Sequence, residues 1–388
     1  MRYRHFRVIA VASALVAAGC ADGADSLGSW TPPPPRGQDI FRYDTFGDEV
    51  FWTDTLRMHE VIQAAVSPAT ALAVGLKVDA EAVPAEVLAG ADLNDPATTV
   101  ALLKLNAVVG VHGEVRTVEG RDTLVSLGVT CALCHSTVDN SVAPGIGRRL
   151  DGWANRDLDP GLILSLSPAL QDPAVQAVLT SWGPGKYDAY WNHDGINNPT
   201  VIPPAYGLRD VALETFTGEG EVSYWNAYVA ITQMHGQGSF DDPRLGISIE
   251  ANPDLVTSKL PDLKAYQLSL NAPRARAGSF DAAAAERGQA LFEGQGRCAD
   301  CHTGPALTDA NDRLHLPEET GMSPVLAQRA TTGRYRTTPL RGAWQHPPYF
   351  HDGSAATLAD VVEHYDAYLL LGLDAGQKAD LVEYLKSL

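Results

Sequence analysis

Apolar positions along this chain recur mostly at helical spacing. Between Phe41 and Val66, the residues Phe51, Leu56, Ile62 and Val66 mark one face, a rhythm that predicts a helix. Asp95-Pro96 offers an N-cap and a first-turn proline for a second helix over 97–109. The same logic places helices from Asp172-Pro173 to Trp182, from Val222 to Met234, and from Asp281 through Phe292. The Val222–Met234 stretch carries an aromatic face of Tyr224, Trp225 and Tyr228 with Ile231. Two more helices close the chain. One is capped at Thr357 with Asp360 three residues on, a capping-box variant, and the other runs from Asp374 through Leu385. Gly288 would let the first and last helices of this final segment cross closely. Residues 183–217 read as loop, 271–280 as a linker, and Thr31 to Pro35 as a stiff polyproline tether.

Two short runs interrupt this helical pattern with chemistry. Cys131-Ala-Leu-Cys134-His135 and Cys298-Ala-Asp-Cys301-His302 both have the Cys-x-x-Cys-His spacing of covalent c-type haem attachment. Two thiols one turn apart reach the two vinyl groups, and the adjacent imidazole meets the iron. The expected cofactors are two covalently bound haem c groups, with His135 and His302 as proximal ligands. Residues 122–135 are expected to form the helix and loop that present the first one. Of five cysteines, only Cys20 lies outside these motifs, so no disulfide framework is available. A four-Cys zinc site is disfavoured by the distance between the pairs and by the histidine each pair carries. Glycines and arginines after the first motif, including Arg148, Arg149 and Arg156, could pair with haem propionates.

Arg2, Arg4 and Arg7 precede an apolar stretch from Val8 to Ala18 that ends at Gly19-Cys20. This is the layout of a signal peptide over 1–19, and Leu15 to Cys20 resembles a bacterial lipobox. Residues 20–38 then form the Pro-rich tether. The expectation is export to the periplasm with a lipid anchor to a bacterial membrane through Cys20. The formal charge of −18 excludes nucleic acid as a partner and favours small basic redox proteins as electron donor or acceptor. Walker, Gly-x-Ser-x-Gly and His-Glu-x-x-His patterns are absent, which leaves redox chemistry unopposed.

The two halves echo one another. Pro204 to Arg209 resembles Thr338 to Arg341, and Thr215-Phe-Thr217 resembles Tyr349-Phe-His351. On this alignment Thr217 takes the place of His351. Each echo precedes a helical pattern, one ending near Met234 and the other reaching Tyr365.

The segment Tyr335 to Arg341, with Pro348-Tyr-Phe-His351-Asp-Gly-Ser354 and Thr357 to Tyr365, resembles the C-terminal haem domain of bacterial di-haem cytochrome c peroxidases. That family includes the di-haem enzyme that matures methylamine dehydrogenase. The resemblance covers roughly residues 281–388. It implies a mainly α fold of two class I cytochrome c-like haem domains in tandem, over 39–272 and 278–388, the first enlarged by loops and extra helices. It also implies reduction of H2O2 with electrons passed between the haems. Alternatives are a di-haem electron-transfer protein, and a haem oxidase or oxygenase acting on a protein or polymer partner. Distal ligands separate these readings. For the second haem the candidates are Tyr365 by family position, His351 by residue type, and Met322. For the first, Met234 leads, with His193 and His235 behind. No catalytic residue is assigned from the sequence.

Overall fold

The structure, a computed structural model, describes residues 35–388. The signal segment, Cys20 and the tether up to Pro34 lie outside the described residues. Among the described residues helices dominate, accompanied by five two-stranded sheets, and these residues form one compact unit. Among the described residues, no helix is long and apolar enough to cross a membrane.

The tether gives way to structure earlier than its composition suggested. The helix Pro35–Tyr43 buries Ile40 and Phe41 in the larger core and packs along the helix Leu260–Ser269. The single helix expected over 41–66 is broken. Asp44 accepts from the Phe46 amide at 2.9 Å, and Phe46 and Gly47 turn to φ 56° and 81°. A π turn, Val50–Thr55, follows. The Thr53 hydroxyl then donates to the Leu127 carbonyl at 3.0 Å and accepts from the Leu127 amide at 2.9 Å. That tertiary docking outweighs local helical rhythm, and a helix resumes only at Met58–Ala65.

The expected haem helix over 122–135 is also corrected. Val111–Val118 and Arg121–Val129 pair as an antiparallel hairpin. Glu119 and Gly120 form its two-residue turn at φ 50° and 78°, the left-handed pair that matches strand twist. Only Ala132–His135 is helical. Elsewhere the N-caps hold: Asp95, Asp172, Asp281 and Thr357 each accept from the first-turn amides of their helices.

Two apolar cores matter for the site. The larger runs from Ile40 to Tyr335 and includes Tyr228, Met234 and Tyr266. The smaller joins Phe292, Leu358, Val362, Leu373, Leu381 and Leu385, with Cys298, Leu340 and Tyr349 packed against it. Here the helices Ala282–Glu293 and Ala375–Ser387 cross tightly. A Cβ on Gly288 would lie 2.0 Å from the Asp380 carbonyl oxygen, so only glycine permits the approach.

A stretch of the C-terminal sequence docks into the larger core. Leu326, Ala327 and Tyr335 are buried there. Arg329 fixes the stretch with Nη2 at 2.8 Å from Asp188 and Nε at 2.7 Å from Asp194, while Glu219 accepts from the Thr331 amide at 2.7 Å.

Candidate haem-attachment sites

The first motif leaves the hairpin directly into a short helix. Gly110, at φ 79°, lies against it, and a Cβ there would fall 2.1 Å from the Leu133 Cα. The residues after the motif wrap back over it. The Asn155 amide donates to the Cys134 carbonyl at 2.8 Å, and the Gly152 amide to that of His135 at 2.8 Å. His135 Nδ1 lies 3.0 Å from the Pro203 carbonyl oxygen. A carbonyl only accepts, so Nδ1 carries the proton and Nε2 keeps its lone pair. Burial pushes the Cys131 and Cys134 thiols up to about 12 and lowers His135 to about 4. The imidazole is therefore neutral, as an iron ligand must be.

The second motif is built on a single 3-10 turn, Cys298–Asp300, at the end of the helix that carries Phe292. The Phe292 ring lies 6.1 Å from that of His302. His302 Nδ1 donates to the Leu307 carbonyl at 2.9 Å, again freeing Nε2. Burial holds the Cys298 thiol up at about 11 and depresses His302. In both motifs, protonated thiols beside an oriented neutral imidazole fit the donor set of covalent haem c.

The structure spreads the distal candidates differently. Tyr365 is partly buried, and its hydroxyl is held above its usual value by loss of water and by the nearby Cys301 and Cys298 thiols. Phe350 meets its ring edge-on at 6.0 Å. His351 is buried against Tyr335, ring centroids 4.8 Å apart, with Nε2 3.4 Å from the Tyr335 hydroxyl. Phe216 stands at 6.4 Å on His351. Met234 is buried in the larger core, and its carbonyl accepts from Trp52 Nε1 at 3.2 Å. Met322 packs against the same core. His235 stacks on Phe51 at 3.7 Å, and the exposed His193 sits 6.0 Å from Tyr228.

One residue near the first motif was not anticipated. Tyr187 packs with Cys134 against Ala154, Leu158 and Ile202, and its hydroxyl donates to Gln233 Oε1 at 2.9 Å. The π turn Val229–Gln233 carries Gln233 to this contact; such turns often re-aim side chains at functional sites. Nothing in local sequence announces it, since the partners are distant along the chain.

The echo between the halves is real in the backbone, but its register shifts by one residue. Each half has a loop closed by an antiparallel bridge, Glu214 with Gly220 and Tyr349 with Ala355. Thr215 and Phe350 share a left-handed φ of 61° and 63°, and Gly218 and Gly353 follow at 61° and 74°. The structure thus pairs Phe216, not Thr217, with His351. Counting equally from the N-cap residues Glu221 and Thr357 pairs Tyr365 with Val229. Met234 lies beyond that point, past the π turn.

No family model matches the chain. It is similar to the cytochrome-c peroxidase IdrP1 of Denitromonas iodatirespirans, at 30% identity over 27% of this chain and 40% of that protein. The methylamine utilization protein MauG of Methylorubrum extorquens is 33% identical over 28% of this chain and 34% of its own. The cytochrome c551 peroxidase of Nitrosomonas europaea is 37% identical over 20% and 25% respectively. The chain thus spans two fifths or less of the length of these curated relatives.

Proposed function

This chain is a relative of the cytochrome c peroxidases and of MauG, and from that premise we propose that it is an exported di-haem c-type redox enzyme. Residues 39–272 and 278–388 form its two haem domains in tandem. Cys131, Cys134 and His135 hold the first haem, and Cys298, Cys301 and His302 the second. Such haems supply iron centres that store and exchange single electrons, and an open coordination position lets one of them take a small oxidant.

The observation that carries the reading is the pairing of Tyr365 with Val229. Tyr365 stands beside the thiols of the second motif, where its oxygen would help to hold the second iron. Its counterpart in the first half is a hydrocarbon side chain with no ligating atom. His351 likewise has Phe216 as its counterpart, so neither ligand type of the second half recurs in the first. On this pairing the first haem would be held by His135 with no side chain matching Tyr365, which would leave room for a small oxidant; Met234 stays a core residue, and Tyr187 and Gln233 supply hydrogen-bonding groups near Cys134. Reducing H2O2 to two waters takes two electrons and two protons. A small basic redox protein supplies the electrons, in keeping with the −18 charge. Cys20 tethers the protein to a membrane on the periplasmic side. A second reading, oxidation of a protein partner, is favoured by the tyrosine at 365, because the methylamine-type enzyme resembles this chain at that position.

Electron paramagnetic resonance of the oxidised protein, with Met234→Ala and Tyr365→Phe beside it, tests the assignment. Expected are one high-spin iron that binds cyanide in the wild type, no change in Met234→Ala, and an altered low-spin signal in Tyr365→Phe. Two low-spin irons, with a near-infrared thioether band lost in Met234→Ala, would make the protein an electron carrier instead.

A further inference from the structure

The deeply placed arginines are matched with carboxylates, with one exception. Arg149 faces Asp79 at 3.6 Å, Arg329 faces Asp188 at 2.8 Å, and Arg336 faces Glu214 at 2.7 Å. Among the described residues Arg156 has no such partner, although its Nε and Nη1 are buried and make no hydrogen bond. The ionisable groups that sense its charge are the hydroxyls of Tyr206 and Tyr349 and the imidazole of His346. Burial without a counter-charge lowers the Arg156 guanidinium to about 10. An uncompensated buried cation is among the most costly arrangements a fold can hold.

Arg156 belongs to an aromatic cluster with further unused donors. Trp344 Nε1 and His346 Nδ1 are also buried without partners. Trp344 meets Trp153 edge-on at 6.2 Å, Trp153 meets Tyr206 at 6.4 Å, and Tyr206 lies 6.5 Å from His346. Burial, reinforced by the Arg156 charge, holds His346 down at about 4, so its ring is neutral and one nitrogen can donate. Guanidinium and indole nitrogens only donate. The missing partner is therefore an acceptor, and the unpaired cation requires it to be an anion. A planar guanidinium edge matches a carboxylate best.

The cluster adjoins both motifs. Asn155, next to Arg156, donates to the Cys134 carbonyl, while Tyr349, at 6.0 Å from His346, packs with Cys298 against the smaller core. We infer that Arg156, Trp344 and His346 form a carboxylate pocket between the two attachment motifs, occupied by a haem propionate. The inference rests on haem being bound at these motifs, not on which iron is open. The same chemistry would accept a free carboxylate from solution, and the experiment separates the two sources.

The test uses the haem-loaded chain, with Arg156→Gln and Arg156→Lys beside the wild type. Potentiometry and the resonance Raman propionate bending band are recorded, together with melting temperature in rising acetate. Thioether bonds should keep the haem-to-protein ratio unchanged in both variants. In Arg156→Gln one haem should become harder to reduce by about tenfold, or ~59 mV for one electron, because a nearby positive charge is gone. Arg156→Lys should retain most of the potential but shift the bending band, since it keeps the charge and loses the fork. Acetate should leave all three melting temperatures alone. An unshifted band in Arg156→Lys overturns the inference even if Arg156→Gln fails to fold. So does an acetate-dependent rise in wild-type melting temperature that Arg156→Lys lacks, which would assign the pocket to a free carboxylate. Two low-spin irons would defeat the proposed enzyme while leaving the band shift in place, so the two failures are distinguishable.

Discussion

Replacing Gly288 with alanine sets two effects of opposite sign against each other. Alanine is the better helix former, and in the middle of Ala282–Glu293 it should stabilise by ~0.5–1 kcal/mol on propensity alone. The added methyl, however, would sit 2.0 Å from the Asp380 carbonyl oxygen and 2.8 Å from the Tyr384 Cβ. Ordinary contact there begins at 3.4 Å, so the two helices must separate by roughly 1.4 Å, the kind of overpacking that costs ~1–3 kcal/mol. The obstructing atom is backbone, which cannot swing aside, and that places the cost at the upper end. A net loss of ~2 kcal/mol is expected. Urea unfolding followed by far-ultraviolet circular dichroism measures it. Phe292 on the same helix packs 6.1 Å from His302, so the Soret band of the second haem should shift as well. A variant as stable as the wild type, or more stable, would refute the close crossing.

Three other outcomes are expected. Asp48 is fully buried, and loss of water raises its carboxyl to about 9; because the folded state holds this proton more tightly than the unfolded chain, the contribution of this group to stability is fully present below its unfolded value and is lost as pH rises towards 9. Asp48→Asn should flatten that slope and gain at most about 4 kcal/mol at pH 7, seen by urea titration at pH 5 and pH 8; equal slopes would refute it. Replacing Cys298 and Cys301 together with alanine should leave one covalent haem per chain after acid-acetone extraction, counted by the pyridine haemochrome spectrum, and two would refute the attachment assignment. Cys20→Ala should move the protein from the membrane to the soluble fraction, and unchanged fractionation would dismiss the lipid anchor.

What could be read in the sequence was what is contiguous in it. Each Cys-x-x-Cys-His run holds its donors within five residues, and the Thr357–Asp360 capping box is equally local. The close crossing at Gly288 was visible because a lone glycine in a helix has few other uses. The hairpin over 111–129 was missed although Glu119-Gly120 is a short turn signal, because a helix was expected to precede the first motif. The echo slipped by one residue for a different reason. Its true anchor is a left-handed conformation shared by Thr215 and Phe350, and β-branched or bulky residues rarely adopt it. Arg156 was legible as a candidate propionate partner, but its lack of a carboxylate, like the place of Tyr187 beside Cys134, depends on contacts between distant segments that no local pattern encodes.

The two motif histidines are braced over very different chain distances. His302 leans on Leu307, a near neighbour, whereas His135 leans on Pro203, well down the chain. The second motif therefore carries its own orienting contact and can present a correctly turned imidazole as soon as that short segment has been synthesised. The first motif acquires its contact only once residues through Pro203 have emerged and folded back. Biogenesis inherits an asymmetry from this. Orientation of the histidine in the C-terminal motif is a local event, while that of the histidine in the N-terminal motif waits on folding of the chain through Pro203.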